Sequence, residues 1–174
     1  VAVASLARNA QLNVPQVLAQ DVEHGFLLLD DLGTQLYLGE LQAAVEAADN
    51  ASVERLMRSA MSALVVWQQR VDASALPAYD DALLRRELAL FPEWCVKREF
   101  GVSWNADEQA TWATTCELLV RSALDQPTVA VHRDYMPRNL MVCDGNTVAE
   151  GVLANPGILD FQDAVRGPIS YDVA

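Results

Sequence analysis

The hydrophobic pattern up to residue 33 is that of a helix end followed by two short strands. Residues 1–10 are rich in alanine and compatible with a helix. The helix is expected to end before Pro15, because a residue that precedes proline avoids the helical conformation. Two apolar runs, 16–19 and 26–29, flank the polar turn sequence DVEHG. The acidic sequence DDLG closes the second run. The pattern therefore predicts a β-hairpin followed by an acidic elbow.

From residue 35 to residue 126 the apolar positions recur at helical spacing. One stripe predicts a helix that faces the core. Its members are Val53, Leu56, Met57, Ala60, Leu64, Trp67 and Val71. Asp80 or Asp81 can cap a second helix, and Asn105 with Glu108 forms a capping box for a third. The apolar positions of these two helices are Leu84, Leu88 and Phe91, then Trp112, Cys116, Leu119 and Ala123.

Short strand-like runs return after the helical middle, at 128–131, 140–143 and 157–159. Asp144-Gly145 is a turn signal between the last two runs, and 146–156 has the composition of an irregular insertion. No internal repeat, glycine-rich dinucleotide motif or Walker sequence is present. The pattern as a whole predicts an α+β fold that is mostly helical.

Composition narrows the functional classes. At 174 residues, 52% of them apolar, the chain can bury one core and is expected to be one domain or most of one. A net charge of -12 without a basic stripe disfavours a nucleic-acid partner. The three cysteines are far apart, which suits neither a disulfide framework nor a zinc site and favours a reducing cytoplasm. No apolar run approaches the roughly 20 residues of a membrane span, so no membrane association is expected.

Two polar motifs stand at the ends of apolar runs. HRDYMPRN, residues 132–139, contains Asp134 and Asn139, and LDFQD contains Asp160. Phosphoryl transfer needs a carboxylate that orients and deprotonates the attacking hydroxyl, and oxygen ligands that hold magnesium across the phosphates. Asp134 is predicted to be that carboxylate. Asn139 and Asp160 offer the hard oxygens that Mg²⁺ prefers, and are predicted to be its ligands.

The spacing of HRDYMPRN matches the catalytic loop of protein kinases, and Asp160-Phe161 stands where those enzymes carry Asp-Phe-Gly. Gln162 replaces that glycine, and GPISYD follows where a long activation segment would be. HRDYMPRNLM followed by ILDFQDAVRGPISYDVA resembles the aminoglycoside phosphotransferase and choline kinase family. LLLDDLG is similar to the interlobe hinge of that family, and LLRRELALFPEWCVKREFGV to its helical insertion. The resemblance implies a protein kinase-like α+β fold, with ATP and Mg²⁺ as cofactors.

The resemblance also divides the chain and adds site residues. It implies that 1–33 is the end of an N-lobe with the hinge, and that 34–174 is a helical C-lobe truncated at its C-terminus. The hinge backbone would bind the purine at Leu29, Asp30, Asp31 and Leu32. His132 is expected to shape the loop by packing, and Asp172 to accept hydrogen bonds from its backbone. Neither is expected to take part in the chemistry.

Further polar residues are candidates for the acceptor site. Arg86, Glu87 and Trp94 could line a sugar pocket, with the indole stacking on a pyranose face. The alternative is a helix surface with a core tryptophan, which general burial statistics favour. Asp163 also has two interpretations, as a contact to the acceptor or as part of a local turn.

The kinase-like interpretation also requires a glycine-rich loop and a strand lysine. Lys97, the single lysine of the sequence, lies in the helical insertion and is a poor substitute. The isolated segment 1–174 is therefore expected to be inactive and, with an exposed hinge strand, prone to associate. An N-terminal small lobe is expected in a longer parent chain.

Within the resembled family, the motifs are most similar to bacterial kinases that phosphorylate the anomeric hydroxyl of N-acetylated amino sugars in cell-wall recycling. An amino sugar is thus the favoured small-molecule acceptor, with aminoglycosides or choline as the alternative. A pseudokinase-like nucleotide-binding module is the competing class. A metal-dependent hydrolase is disfavoured because the histidine-rich ligand set of such sites is missing. The pattern specifies neither ATP over GTP nor an oligomeric state.

Overall fold

The structure is a computed structural model that describes residues 1–143 and 151–173. Five α-helices and seven strands are defined in this part of the chain. In order, they are α1 Ala2–Asn9, β1 Leu12–Asn13, β2 Val17–Asp21, β3 Phe26–Leu29, α2 Tyr37–Glu46, α3 Asn50–Arg70, α4 Asp81–Leu88, α5 Ala106–Leu124, β4 Thr128–Val131, β5 Leu140–Met141, β6 Leu153–Ile158 and β7 Val165–Pro168. Short 3₁₀ turns cover Ala73–Ala75, Pro137–Asn139 and Tyr171–Val173. The fold is α+β, as the sequence pattern predicts.

Helix α3 forms the centre of the core. It begins at its cap Asp49, whose carboxylate accepts a hydrogen bond from the Ser52 N–H. Its buried face packs against β4 and β6, so the predicted stripe does face the core. The buried residues of the helix are Leu56, Ala60, Ala63, Leu64 and Trp67. Met57 was predicted on the same stripe, and this is wrong: its side chain is 45% exposed because it lies at the edge of the buried face.

The strands of the described residues form three small sheets, two of which pack against α3. β1, β6 and β5 form one sheet, in which β1 runs parallel to β6 and β5 runs antiparallel to it. β4 and β7 form an antiparallel pair, with Val129 opposite Gly167. Because β4 and β5 both lead into or out of residues 132–139, the two sheets hold that segment at both ends.

The predicted hairpin is confirmed. β2 and β3 pair antiparallel, with Asp21 opposite Phe26 across the turn. All four residues of β3 are exposed, from 43% at Leu29 to 70% at Phe26. The hairpin therefore contributes little to the core, and its apolar strand faces outward.

A helical insertion separates α3 from β4. Asp80 caps α4 through the Leu83 N–H, and the capping box of Asn105 and Glu108 opens α5, so both predicted caps are confirmed. A π-helix, Phe91–Glu99, joins the two helices. Phe91 was predicted in the same helix as Leu84 and Leu88, but α4 ends at Leu88 and Phe91 opens the π-helix. Phe91 and Leu119, both given as apolar positions of these helices, are 48% and 45% exposed. No helix of the described residues is long and apolar enough to cross a membrane.

The last predicted strand is longer than its pattern indicates. Residues 153–156 were assigned to an irregular insertion, yet they belong to β6, which begins at Leu153. The Asn155 side chain explains the order of this segment, since it donates to the Tyr37 hydroxyl and accepts from the Cys143 N–H. Strand β7 was not predicted. The Asp144-Gly145 turn and residues 146–150 lie outside the described residues.

Candidate active site

The segment 132–139 forms a loop between β4 and β5, and we name it the catalytic loop after the protein-kinase segment whose spacing it matches. Its first turn is anchored by Asp172. The Asp172 carboxylate accepts hydrogen bonds from the backbone N–H of His132 at 2.7 Å and of Arg133 at 2.9 Å. Two charge-assisted bonds to successive amides fix the direction in which the chain leaves β4. Asp172 thus occupies the supporting position that the family resemblance implies.

His132 is fully buried beneath this loop. Its ring lies 5.1 Å from the Trp67 ring and 5.5 Å from the Tyr135 ring, measured between centroids. Its Nδ1 accepts a hydrogen bond from the Asp134 N–H at 3.3 Å. Burial lowers the pKa of His132 to about 4, against smaller opposing effects of the Leu159 backbone and the Asp160 charge. A neutral, packed imidazole suits a loop-shaping role.

Arg133 has an unusual backbone conformation, with φ at +81°. A left-handed conformation costs a residue with a Cβ about 1–2 kcal/mol, and such strain persists where the surroundings dictate the geometry. The residue is held at both ends, since its N–H bonds Asp172 and its guanidinium pairs with Glu87. The conformation sends the chain sharply into Asp134, the residue that follows.

Asn139 links the loop to the end of the neighbouring strand. Its amide nitrogen donates to the Asp134 carbonyl at 2.9 Å and lies 3.4 Å from Asp160 Oδ2. The Asn139 carbonyl accepts a hydrogen bond from the Leu159 N–H at 2.9 Å. Asp160 follows β6 with φ at +62°, and its Oδ1 accepts from Gln162. Asp134, Asn139 and Asp160 are therefore brought together at one edge of the fold.

The donor set is compatible with magnesium. The Asn139 amide nitrogen donates to the Asp134 carbonyl and faces Asp160 Oδ2 at 3.4 Å, so these two contacts leave the amide oxygen as an acceptor. The described residues contain no group of three or more His, Cys, Asp or Glu that could hold a metal by itself. Mg²⁺ in phosphotransferases is typically bound by one or two protein oxygens together with phosphates and water, so two ligands suffice.

The weaker acceptor candidates lie in different environments. Arg86 and Asp163 are exposed, and Trp94 is 55% exposed with the Arg98 guanidinium 4.0 Å from its ring centroid. Glu87 differs, because both of its carboxylate oxygens already have partners, Arg133 and the Tyr79 hydroxyl. Lys97 pairs with Glu93 at 3.6 Å on the exposed π-helix.

Three of the four predicted hinge residues line a cleft, and Leu29 does not. Asp30, Asp31 and Leu32 border a cavity of about 690 Å³. Asp30 Oδ1 accepts from the Gln16 N–H, and Asp31 Oδ1 accepts from the Gly33 N–H at 2.8 Å, so both carboxylates serve the local backbone. Asp134, Asn139 and Asp160 do not line this cavity. Geometry at the catalytic loop is therefore the better guide to the chemistry.

The sequence did not predict a polar network near the site that joins Arg133, Glu87 and Tyr79. Glu87 had been selected only as an acceptor contact, and Tyr79 and Arg133 carried no prediction. The signal that could have found them is weak: Arg133 directly precedes Asp134, and a charged side chain in a packed loop needs an acidic partner. Sequence spacing does not identify which acidic residue is the partner of Arg133.

Comparison with known proteins gives a consistent result. A profile of the phosphotransferase enzyme family matches residues 1–174. A protein of Pseudomonas aeruginosa named N-acetylmuramate/N-acetylglucosamine kinase is 50% identical over 173 residues, which are 99% of this chain and 46% of that protein. Proteins of the same name from Neisseria meningitidis and Caulobacter vibrioides are 42% and 33% identical, over 93% and 95% of this chain and 45% and 46% of theirs.

The chain spans about half the length of the curated relatives that it matches. The match of the family profile covers the hairpin, the helical insertion, the catalytic loop and Asp160 together. It confirms the resemblance stated from the sequence motifs, and with it a protein kinase-like fold. This chain belongs to the phosphotransferase enzyme family.

Proposed function

We propose that this chain is part of a magnesium- and ATP-dependent kinase that phosphorylates the anomeric hydroxyl of an N-acetylated amino sugar. The observation that carries the chemistry is the meeting of Asn139 and Asp160 beside Asp134, with 3.4 Å between the Asn139 amide nitrogen and Asp160 Oδ2. The acceptor rests on the relatives, several of which are named N-acetylmuramate/N-acetylglucosamine kinase. Those names favour a sugar over an aminoglycoside or choline.

Each residue has a distinct role in this proposal. Asp134 orients the acceptor hydroxyl and takes up its proton as the phosphoryl group is transferred. The Asn139 amide oxygen and the Asp160 carboxylate would hold Mg²⁺, which neutralises charge on the phosphates when it is bound. Asp172 and His132 keep the loop in place, through two backbone hydrogen bonds and through packing.

The Gln162 side chain constrains the Asp160 carboxylate, which a glycine at that position could not do. Its amide nitrogen donates to Asp160 Oδ1. One carboxylate oxygen is thereby oriented, while Oδ2 faces Asn139. We infer that Gln162 fixes the rotamer of Asp160 and so helps to position the metal ligand.

The purine site is proposed at residues 29–32, where backbone groups of the segment between β3 and α2 would bind the base. The division into an N-lobe end at 1–33 and a C-lobe from residue 34 remains a prediction, as does a cytoplasmic location. ATP is preferred to GTP here only as the usual donor of kinases.

The test uses the full-length protein that carries this chain. It is incubated with Mg-ATP and, in separate reactions, N-acetylmuramate, N-acetylglucosamine, kanamycin and choline, and ADP release is followed by coupled NADH oxidation. We expect turnover with the N-acetylated sugars and a product in which phosphorus couples to the anomeric proton in NMR spectra.

The Asp134→Asn variant is the matched control, because it preserves the shape of the side chain and removes the proton acceptor. Turnover of kanamycin or choline alone would replace the acceptor assignment with the alternative one. Nucleotide binding without turnover of any acceptor would favour a non-catalytic module.

A further inference from the structure

A partly buried polar network ties the catalytic loop to the helical insertion, and the proposed reaction does not use it directly. The Arg133 guanidinium donates to Glu87 Oε1, and the Tyr79 hydroxyl donates to Glu87 Oε2. The side chains of Arg133 and Glu87 are only 26% and 23% exposed. In the other ion pairs formed by the described residues, both side chains are at least 40% exposed. Glu87 and Arg133 are thus the one pair in this part of the chain that is largely shielded from water.

The network continues to the anchor of the loop. The Tyr79 ring packs edge-on against the Tyr171 ring, with 5.3 Å between centroids. Tyr171 directly precedes Asp172, whose carboxylate accepts from the Arg133 N–H at 2.9 Å. Burial acts to lower the pKa of Arg133, but the charge and hydrogen bond of Glu87, together with smaller contributions of Tyr171, raise it. The arginine therefore remains charged and is held both by its backbone and by its guanidinium.

We propose that Glu87 is a positioning residue for phosphoryl transfer, acting through Arg133. By holding the guanidinium, it keeps Arg133 in its left-handed conformation at φ +81° and fixes the backbone from which Asp134 projects. Because Glu87 lies in the last turn of α4, it also couples the helical insertion to the catalytic loop. The inference deepens the proposed function and rests on it for the catalytic readout.

The physical basis is the shielding of the pair. A charge-assisted hydrogen bond between partly buried groups is strong and directional, and removal of one partner leaves the other charge without compensation. Arg133 would then move towards solvent, and the strained backbone would relax. A displacement of about 1 Å in a catalytic group can cost about 10²-fold in rate. Glu87 can therefore affect turnover without touching either substrate.

The test compares two identical substitutions in the full-length protein. Glu87→Gln removes the charge and keeps the shape. Glu117→Gln makes the same change in an acid of α5 that is 63% exposed. Glu117 accepts hydrogen bonds at 2.8 Å and 3.0 Å from Arg85, which lies in α4 with Glu87. We expect kcat of Glu87→Gln to fall about 10- to 100-fold with KM for ATP within about threefold of wild type. Glu117→Gln should stay within about twofold of wild type in both constants.

A double-mutant cycle separates positioning through Arg133 from a general loss of structure. Glu87→Gln, Arg133→Gln and the double variant are assayed at equal fractions folded, judged by near-UV circular dichroism. If Glu87 acts through Arg133, the double variant is about as slow as the slower single variant. Losses in kcat that multiply, or a Glu87→Gln enzyme with wild-type kcat, would overturn the proposal.

Hydrogen exchange provides a readout that does not need activity. Amide exchange in the peptide covering residues 129–136 should become faster in Glu87→Gln and remain unchanged in Glu117→Gln. Unchanged exchange in both variants would overturn the coupling of Glu87 to the loop. If the wild-type protein phosphorylates none of the acceptors, the proposed function fails, while the exchange result still decides whether Glu87 orders the loop.

Discussion

The anchoring carboxylate Asp172 makes a testable contribution to stability. Asp172→Asn retains one acceptor oxygen but turns an amide NH₂ towards the backbone N–H groups of His132 and Arg133, which the carboxylate accepts at 2.7 Å and 2.9 Å. One of these two donors loses its partner. An unpaired buried donor costs about 1–3 kcal/mol, so we expect the free energy of unfolding to fall by about that amount at neutral pH.

The pH dependence of this loss follows from the pKa of Asp172. Burial raises that pKa above its ordinary value of 3.8, the bonds from the His132 and Arg133 N–H groups oppose the rise, and the charge of Asp134 adds to it. Between the unfolded and the folded pKa the folded protein binds more protons than the unfolded chain. Stability from this site therefore falls as pH rises through that window. The asparagine variant does not titrate there, so its deficit relative to wild type should shrink as pH rises.

Urea denaturation of both proteins, followed by tryptophan fluorescence from pH 4 to pH 8, measures the deficit. Asp163→Asn is the matched control, because it makes the same change at an exposed position on the other side of β7. We expect that control to stay within about 0.5 kcal/mol of wild type at every pH. Equal stabilities of wild type and Asp172→Asn, or a deficit that grows with pH, would refute the reasoning.

Three further predictions concern the site and its packing. Asp134→Asn should lower kcat by about 10²- to 10⁴-fold with nucleotide affinity retained; near-normal kcat would refute its role. Asn139→Ala and Asp160→Ala should each weaken the magnesium dependence of nucleotide binding in calorimetry, and unchanged Mg-ATP affinity in both would contradict them as ligands. Gly157→Ala would place a Cβ 2.8 Å and 2.9 Å from two packed side-chain atoms. It should cost about 1–3 kcal/mol in urea denaturation, unlike Gly39→Ala, which meets open space.

Local patterns in the sequence predict local geometry well. The hairpin and both helix caps depend on residues that are close in sequence, and the structure has them where expected. The catalytic loop is similar, because the bond from Asn139 to the Asp134 carbonyl spans only five residues. Spacing along such a short segment restricts the possible geometries strongly. The chemical roles of these residues remain predictions that the variants above address.

Contacts between residues that are distant in sequence were harder to predict. Glu87 and Arg133 are 46 residues apart in sequence, and the chain offers 24 acidic side chains as possible partners. Packing of α4 beside the loop, which the sequence does not encode in any short pattern, selects one of them. Burial of residues at the edge of a packed helix face is difficult to predict for the same reason. Met57 shares the spacing of the core stripe, but whether it is covered depends on how far a neighbouring element extends.

The parallel pairing of β1 with β6 has a consequence for folding during synthesis. Asn13 donates through its side chain to the Ala154 carbonyl, across 141 residues of sequence. At a synthesis rate of about 5–20 residues per second, β6 is made roughly 7–30 s after β1. Helix α3 can form early from its own sequence, but the sheet of β1, β6 and β5 must wait for this late strand.

Pairings of high sequence separation are slow to form, because the entropy of closing the loop is lost before any contact compensates for it. During the interval Leu12 and Val14, which are buried in the finished fold, have no strand beside them. The nascent chain is then exposed to aggregation through this region. Ribosome-associated chaperones that shield apolar segments should therefore improve the yield of folded protein most when they act before β6 is synthesised.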